Sequence, residues 1–297
     1  MIDYHLLEAL HAVISEGGFE RAAKTLFITQ SAVSRRIHHL ESSMGEPVII
    51  RNKPPMPTPF GQRLLNHYQQ VRQLEIALAL PNLDEQTKPS PPLLVKLATN
   101  ADSLATWLPE ALAVSREKTA QQYQFDIVVD DQSVALKRMK SGEVMACVCS
   151  SKTPVNGGKS LALGAMRYHI VASPRFVDTY RYSNPSELAK LPCLVFDEND
   201  KLQHQFLADL GAQSPTIVHY CPSTEGFLQA ALAGLGFGLL PALQLANTIE
   251  SGVLVDLMPG HWVDVALYWH YWQTESPPLM ILREHVLAVA SKRLESL

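Results

Sequence analysis

Residues 19–41 read FERAAKTLFITQSAVSRRIHHLE. The spacing of their apolar side chains decides what the N-terminal part of the chain is. In the second half of the stretch, Val33, Ile37, Leu40 and Met44 follow the i, i+4, i+7, i+11 rule and fall on one helical face. At about 100° per residue, Ser31, Arg35, His38 and Ser42 lie on the opposite face. Ala22, Ala23 and Leu26 give the preceding helix a small-residue face that admits close helix–helix approach. Only the short break at FIT separates the two. A helix, a tight break and a polar-fronted second helix form the pattern of a helix-turn-helix, whose second helix enters the major groove. Gln30, Ser31, Ser34 and Arg35 occupy its first turns, where base edges are met, with Arg36 and His38 just beyond. Arg pairs bidentately with guanine, and Gln pairs with adenine. A plain helical hairpin with a solvated polar face has the same spacing, so the next segment matters.

Residues 46–60 read EPVIIRNKPPMPTPF. A short apolar run, 48–50, meets Arg51, Lys53 and a cluster of prolines, which suit a turn or an edge strand. This predicts a β-wing with a cationic tip that touches phosphate or the minor groove. A long helix then begins near Thr58, with Thr58 as N-cap and Pro59 at the first helical position. Leu64, Tyr68, Val71, Leu74 and Leu78 form one stripe on it. A solitary helix must bury such a stripe, and a second copy of itself is the simplest partner.

The sequence here resembles the N-terminus of a LysR-type transcriptional regulator. The residues that carry the resemblance are GFERAAKTL before the turn, the TQSAVS opening and LE close of the recognition helix, and the T-P-x-G entry to the linker helix. Further on, LATNADSLATWLPEAL, LKRMKSGEVMACV, SGVLVDLMPG and LYWHYW resemble the subgroup of that family that governs arginine export and lysine-responsive genes. The resemblance implies promoter DNA as partner, linker helices that pair, a dimer that becomes a tetramer, contact with RNA polymerase, and L-lysine or L-arginine as effector without a cofactor or metal.

Bulk properties agree. The 297 residues are 46% hydrophobic and 18% charged, ordinary for a globular protein of two or three domains. The net charge is −4. Within residues 1–60, Arg21, Lys24, Arg35, Arg36, Arg51 and Lys53 are balanced by Asp3, Glu8, Glu16, Glu20, Glu41 and Glu46. DNA affinity must therefore come from the placement of charge. Four cysteines are too few and too scattered for a disulfide framework. The opening MIDYHLLEAL lacks the basic-then-apolar order of a signal peptide, so a reducing cytoplasm is expected. Residues 226–249 carry no charge and are long enough to span a bilayer, but Gly234, Gly236, Gly238 and Pro241 divide them into helix, strand and helix.

The expected organisation is α/β. Residues 1–58 form a winged helix-turn-helix, 59–80 a linker helix for dimerisation, 81–92 a proline-rich hinge, and 93–297 a two-lobed effector domain resembling a periplasmic-binding protein. In the last unit, strand–helix alternation implies a parallel sheet covered by helices. A crossing strand at SLALGAMRYHIVAS leads into a second α/β lobe, and VDVALYWHYW returns before a final helix from about Pro277. Ligands of open α/β sheets sit beyond the carboxyl ends of strands. Those ends are Thr99, Asn100, Asp102 and Ser103, then Asp130 and Asp131, then Ser150 and Ser151, and in the other lobe Ser223, Thr224 and Glu225. Backbone N–H groups near Ser103 and Thr224 suit a carboxylate, and Asp130, Asp131 or Glu225 an ammonium. Asp102 and Ser223 also read as plain helix caps, and Asp130 and Asp131 as solvated turn residues.

Other chemistry is poorly supported. Cys147 and Cys149 share a strand face and read as small buried hydrophobes, YWHYW as packing, and GLGFG lacks the following helix of a dinucleotide site. No nucleophile–base constellation is visible, which counts against an α/β enzyme. A cytoplasmic amino-acid-binding protein fits the lobes but leaves residues 1–80 without a role. A LysR-type regulator of an unrelated effector is the remaining alternative.

Overall fold

The computed structural model describes residues 2–77, 92–115, 119, 121–130, 132–181, 185–245 and 248–297. Leu78, Asp131 and nearly all of the expected hinge at 81–92 lie outside them, and so does the end of the linker helix.

The N-terminal unit is built from α1 (Tyr4–Ser15), α2 (Phe19–Thr25), α3 (Gln30–Met44), β1 (Ile49–Ile50), β2 (Met56–Pro57) and α4 (Pro59–Ala77). Val33, Ile37 and Leu40 are buried against Leu6, Leu7, Leu10 and Ala22, as the spacing requires. Thr29 caps α3 by accepting from the amide of Ala32 at 3.2 Å. Gly45 ends it in the left-handed conformation, φ 76°, which glycine adopts without Cβ strain. Glu41 Oε1 accepts from the amide of Val48 at 3.1 Å and ties the recognition helix to the wing. The wing pairs Ile49 with Pro57 and Ile50 with Met56, antiparallel.

The T-P-x-G motif has a physical origin. Thr58 Oγ1 donates to the carbonyl of Pro47 at 2.8 Å and accepts from the amide of Gly61 at 2.9 Å. A Cβ on Gly61 would collide with the carbonyl oxygen of Val48, so only glycine lets the linker helix start against the wing.

The linker stripe does not work as one seam. Leu64 is buried and Tyr68 packs in the core of the same N-terminal unit. The Tyr68 ring lies 5.5 Å from that of His11 on α1. Farther along α4, Val71 is half-buried and Leu74 is 39% exposed. Only this later part of the stripe remains available to a partner. The apolar period cannot distinguish the two, because one helix face serves two neighbours at successive heights.

The effector unit begins with β3 (Leu93–Thr99) and the two short helices α5 (Ala101–Ala105) and α6 (Leu108–Leu112). The apolar pattern of ADSLATWLPEALAVSREK predicts a single helix over 101–118. It breaks at Thr106 and Trp107, next to Pro109, which supplies no amide hydrogen. Then follow β4 (Tyr123–Val129), α7 (Gln132–Ser141), β5 (Ala146–Cys149), the long β6 (Gly158–Ala172) and α8 (Pro174–Tyr180). After a 3-10 turn at Pro185–Lys190 come β7 (Pro192–Val195), α9 (Leu202–Asp209), β8 (Ile217–Tyr220), α10 (Thr224–Leu232), β9 (Gly238–Pro241) and α11 (Ala242–Leu245). The chain ends with β10 (Val255–Asp256), β11 (Val263–Trp272) and α12 (Pro277–Arg293). The apolar run VLVDL predicts a strand over 253–257, of which only Val255 and Asp256 pair.

The main sheet has the order β10-β6-β11-β5-β3-β4, with β9 also on β6. β4 and β5 flank β3 in parallel, and β7 pairs β8 in parallel in a separate small sheet. β6 and β11 are antiparallel and cross between lobes. The early half of β6 and the late half of β11 join the β5 side, and the late half of β6 carries β9 and β10. The uncharged run at 226–249 forms a helix, a strand and a helix as read. A Cβ on Gly236 would come within 2.9 Å of the carbonyl oxygen of Pro192, which explains a glycine beside the second lobe's sheet. No helix among the described residues is long and apolar enough to cross a membrane.

Candidate functional sites

The first site is the exposed face of α3 with the wing. Gln30, Ser31, Ser34, Arg35 and His38 are all exposed, as are Arg51 and Lys53. No ion pair holds Arg35, Arg51 or Lys53 among the described residues. Arg36 is different. It is half-buried, and its guanidinium lies 3.8 Å from Glu8 on α1, so it braces α3 on its neighbour. Sequence reading did not single out Phe27. This residue in the turn before α3 holds φ at 52° and is 95% exposed. A left-handed aromatic standing in solvent at a recognition surface is a strained and functionally suggestive position. The FIT break marked the turn but carried no signal of its handedness.

The second site is a cleft of about 700 Å3 where the lobes meet. Of the effector candidates, Asn100, Asp102, Asp130 and Thr224 line it. Asp102 is its centre. Its carboxylate accepts from the Tyr168 hydroxyl at 2.7 Å and from Thr224 Oγ1 at 3.4 Å, which links α5 of the first lobe to β6 and to α10 of the second. Burial pushes the Asp102 carboxyl up from its usual range, against the pull of those two bonds. The Tyr168 phenol is raised as well, first by burial and then by Asp102.

Asp130 lines the cleft but is also ion-paired with Arg138, whose other nitrogen reaches Glu143 at 2.7 Å. Its charge is thus largely answered within the protein. The remaining candidates lie elsewhere. Thr99 is buried in the core, and the Ser103 hydroxyl accepts from the Trp107 indole at 3.1 Å inside the first lobe. Ser150 does not line the cleft. Ser223 caps α10 by accepting from the amide of Gly226 at 3.1 Å. Glu225 is exposed, accepts from Gln229 at 2.9 Å and does not line the cleft. Being at the end of a strand places a residue near the cleft. Which way its side chain turns depends on local capping.

Sequence reading missed the loop after β7. Asp197 and Asp200 line the cleft, with Gln203 on α9. Asp200 accepts from the amides of Phe196 at 3.1 Å and Leu202 at 2.9 Å, and Asp197 from those of Asn199 at 2.7 Å and Asp200 at 3.0 Å. The rule used for the other strand ends would have found this loop, since it directly follows CLVF. Among the described residues lining the cleft, Asp102, Asp130, Asp197 and Asp200 are carboxylates and Lys201 is the one cation, with Asp130 answered by Arg138. Cys147 and Cys149 are buried on β5.

A winged helix-turn-helix joined to a cleft between crossing-strand lobes defines a bacterial ligand-responsive transcriptional regulator. Residues 4–62 match the bacterial regulatory helix-turn-helix protein, lysR family, and residues 92–291 match the LysR substrate binding domain. The chain belongs to the LysR family of DNA-binding transcriptional regulators. It is 50% identical over 298 residues to the HTH-type transcriptional regulator ArgP of Pseudomonas aeruginosa, covering 99% of this chain and 98% of the relative. To ArgP of Vibrio vulnificus it is 40% identical, covering 99% and 98%. Among solved structures, ArgP from Mycobacterium tuberculosis superposes with a TM-score of 0.82 at 32% identity, covering 100% of both chains. Full-length LysG from Corynebacterium glutamicum with bound effector Arg does so with a TM-score of 0.72 at 29% identity, covering 99% of this chain and 100% of that one.

The DNA surface makes a differential prediction. If Arg35 reads a base edge, Arg35→Ala is expected to weaken operator binding by about 1–3 kcal/mol and to relax sequence preference. If Lys53 meets phosphate, Lys53→Ala is expected to weaken all sequences alike and to reduce the salt slope by roughly one. Gel shifts at several salt concentrations with operator and scrambled DNA separate the two. Equal affinity of wild type and Arg35→Ala for the operator at fixed salt would remove Arg35 from the reading set.

Proposed function

We propose that this regulator binds a basic amino acid, L-arginine or L-lysine, in the interlobe cleft and alters its grip on promoter DNA in response. The observation that carries this is the excess of carboxylates around Asp102, which favours a ligand with a cationic side chain. The effector bound to the C. glutamicum relative supports the choice of ligand. Asn100, Asp102, Asp130 and Thr224 remain the contact residues of choice, joined by Tyr168, Asp197 and Asp200. No cofactor or metal is needed for binding or response. The protein acts in the cytoplasm on double-stranded DNA, and RNA polymerase is the partner through which bound DNA is read.

Assembly as a dimer or tetramer rests on the later part of the linker stripe. Leu74→Asp is expected to place a charge in that seam, giving smaller species that bind DNA poorly. An unchanged mass by light scattering would rule out the seam.

The ligand can act only by binding two states unequally. Lobe closure that shifts the spacing of paired recognition helices changes register against half-sites about 34–36 Å apart. The test is calorimetry of the intact protein with L-arginine, L-lysine and L-norleucine, followed by DNase footprinting with the ligand that binds. Heat from a basic amino acid with norleucine silent, together with an altered footprint, is the expected result. No binding of either basic amino acid at millimolar concentration would overturn the reading.

A further inference from the structure

Among the described residues, two amide side chains of the cleft carry oxygens with nothing to accept from. Gln203, on the first turn of α9 in the second lobe, is 2% exposed, and its Oε1 has no hydrogen-bond partner. Asn100, at the end of β3 in the first lobe, has a buried Oδ1 that is likewise unpartnered. Asn100 precedes α5, yet its side chain makes no capping bond there. Both residues line the same cavity. A buried amide oxygen without a donor carries an uncompensated desolvation cost, so such an atom in a native fold calls for a reason. Several neighbouring donors are committed to other acceptors. The Tyr168 hydroxyl goes to Asp102, and the amides of the loop after β7 go to Asp197 and Asp200. Neither oxygen has a donor among the described residues, and an N–H of a bound molecule would supply one.

We propose that Asn100 and Gln203 are a pair of neutral acceptors, one on each lobe, that receive N–H groups of the bound effector and couple its occupancy to closure of the cleft. The inference rests on the amino-acid reading above and adds to it the residues that make binding depend on the closed arrangement. The carboxylates attract a cation over distance, whereas an amide oxygen gains only from a donor at hydrogen-bond range. A ligand touching one lobe satisfies one oxygen. A ligand that satisfies both must hold the lobes together. A planar guanidinium with five N–H donors suits this better than an ammonium with three. The pair therefore favours L-arginine over L-lysine.

The experiment is calorimetry of the full-length protein with L-arginine and L-lysine, using Gln203→Met, Asn100→Ala and Asn100→Asp. Gln203→Met removes an unpaired polar group at similar length, so the melting temperature without ligand should stay the same or rise. Its affinity for L-arginine should fall at least tenfold, and the preference over L-lysine should shrink. Asn100→Ala should lose affinity similarly. Asn100→Asp keeps the acceptor, and aspartate is tolerated before a helix, so it should bind L-arginine within about threefold of wild type. If Gln203→Met binds L-arginine within twofold of wild type, the acceptor pair is overturned. The same holds if Asn100→Asp loses as much as Asn100→Ala. If the wild-type protein itself binds neither amino acid, the ligand assignment has failed instead, and the two failures are distinct.

Discussion

Asp102→Asn in the full-length protein is expected to abolish the response to a basic amino acid while leaving ligand-free DNA binding intact. Asparagine keeps one oxygen for the Tyr168 hydroxyl, and its amide N–H can donate to Thr224 Oγ1 where the second carboxylate oxygen now accepts, so the change removes the charge while a polar partner remains for each neighbour. Removing the carboxylate from a buried, hydrogen-bonded ion pair costs on the order of 2–5 kcal/mol of affinity. The same residue gives a pH signature. Burial raises the Asp102 carboxyl, so its neutral form is favoured in the fold. Its contribution to stability is present below the unfolded pKa and is lost as pH rises through the raised folded value. Ligand binding runs the other way. A cation requires the carboxylate, so affinity should fall as the solution is acidified toward that raised value, with a proton released on binding. Asp102→Asn should remove this pH dependence and should not lower the melting temperature of the ligand-free protein at neutral pH. Calorimetry from neutral to acidic pH reads all of this. Wild-type affinity in the variant would move the ligand's cation away from Asp102.

Trp107→Ala should have the largest effect on folding. Trp107 is fully buried in the core that joins α5 and α6 to the sheet, and its indole donates to Ser103 at 3.1 Å. Truncating a buried tryptophan costs about 3–5 kcal/mol through lost burial and the cavity left behind. Ser103→Ala leaves the indole N–H unpaired and should cost about 1–3 kcal/mol. Denaturant unfolding of the full chain measures both. If Ser103→Ala were neutral in stability but blocked ligand binding, Ser103 would belong to the cleft after all.

Local rules made much of the N-terminal unit legible. Val33, Ile37 and Leu40 lie where the helical period puts them, Thr58 caps α4, and the wing turns at Arg51 and Lys53. These features depend on residues within a few turns of each other, so spacing is enough. In the effector unit the alternation of strand and helix was equally plain, because each element signals itself by its own apolar pattern. The single helix expected over 101–118 failed because Pro109 and the Trp107–Ser103 bond act inside it, and a periodic apolar pattern does not register a break.

The direction in which a polar side chain turns was beyond the sequence. Asp102 and Glu225 are both acidic residues near strand ends, yet one is half-buried in the cleft, where it accepts from Tyr168 and Thr224, and the other is exposed and bonded to Gln229. Arg35 and Arg36 are neighbours, yet Arg35 is exposed and without an ion pair among the described residues, while Arg36 is half-buried beside Glu8. Tyr168 enters the site from the middle of a crossing strand, and Asp200 and Gln203 enter from the opposite lobe, far along the chain. Sequence alone determined the class of the protein, the elements and the strand ends near which a ligand would sit. The tertiary structure decided which side chains form the cleft, because membership depends on packing between lobes that are distant in sequence, and each polar group goes to whichever donor or acceptor that packing brings within about 3 Å.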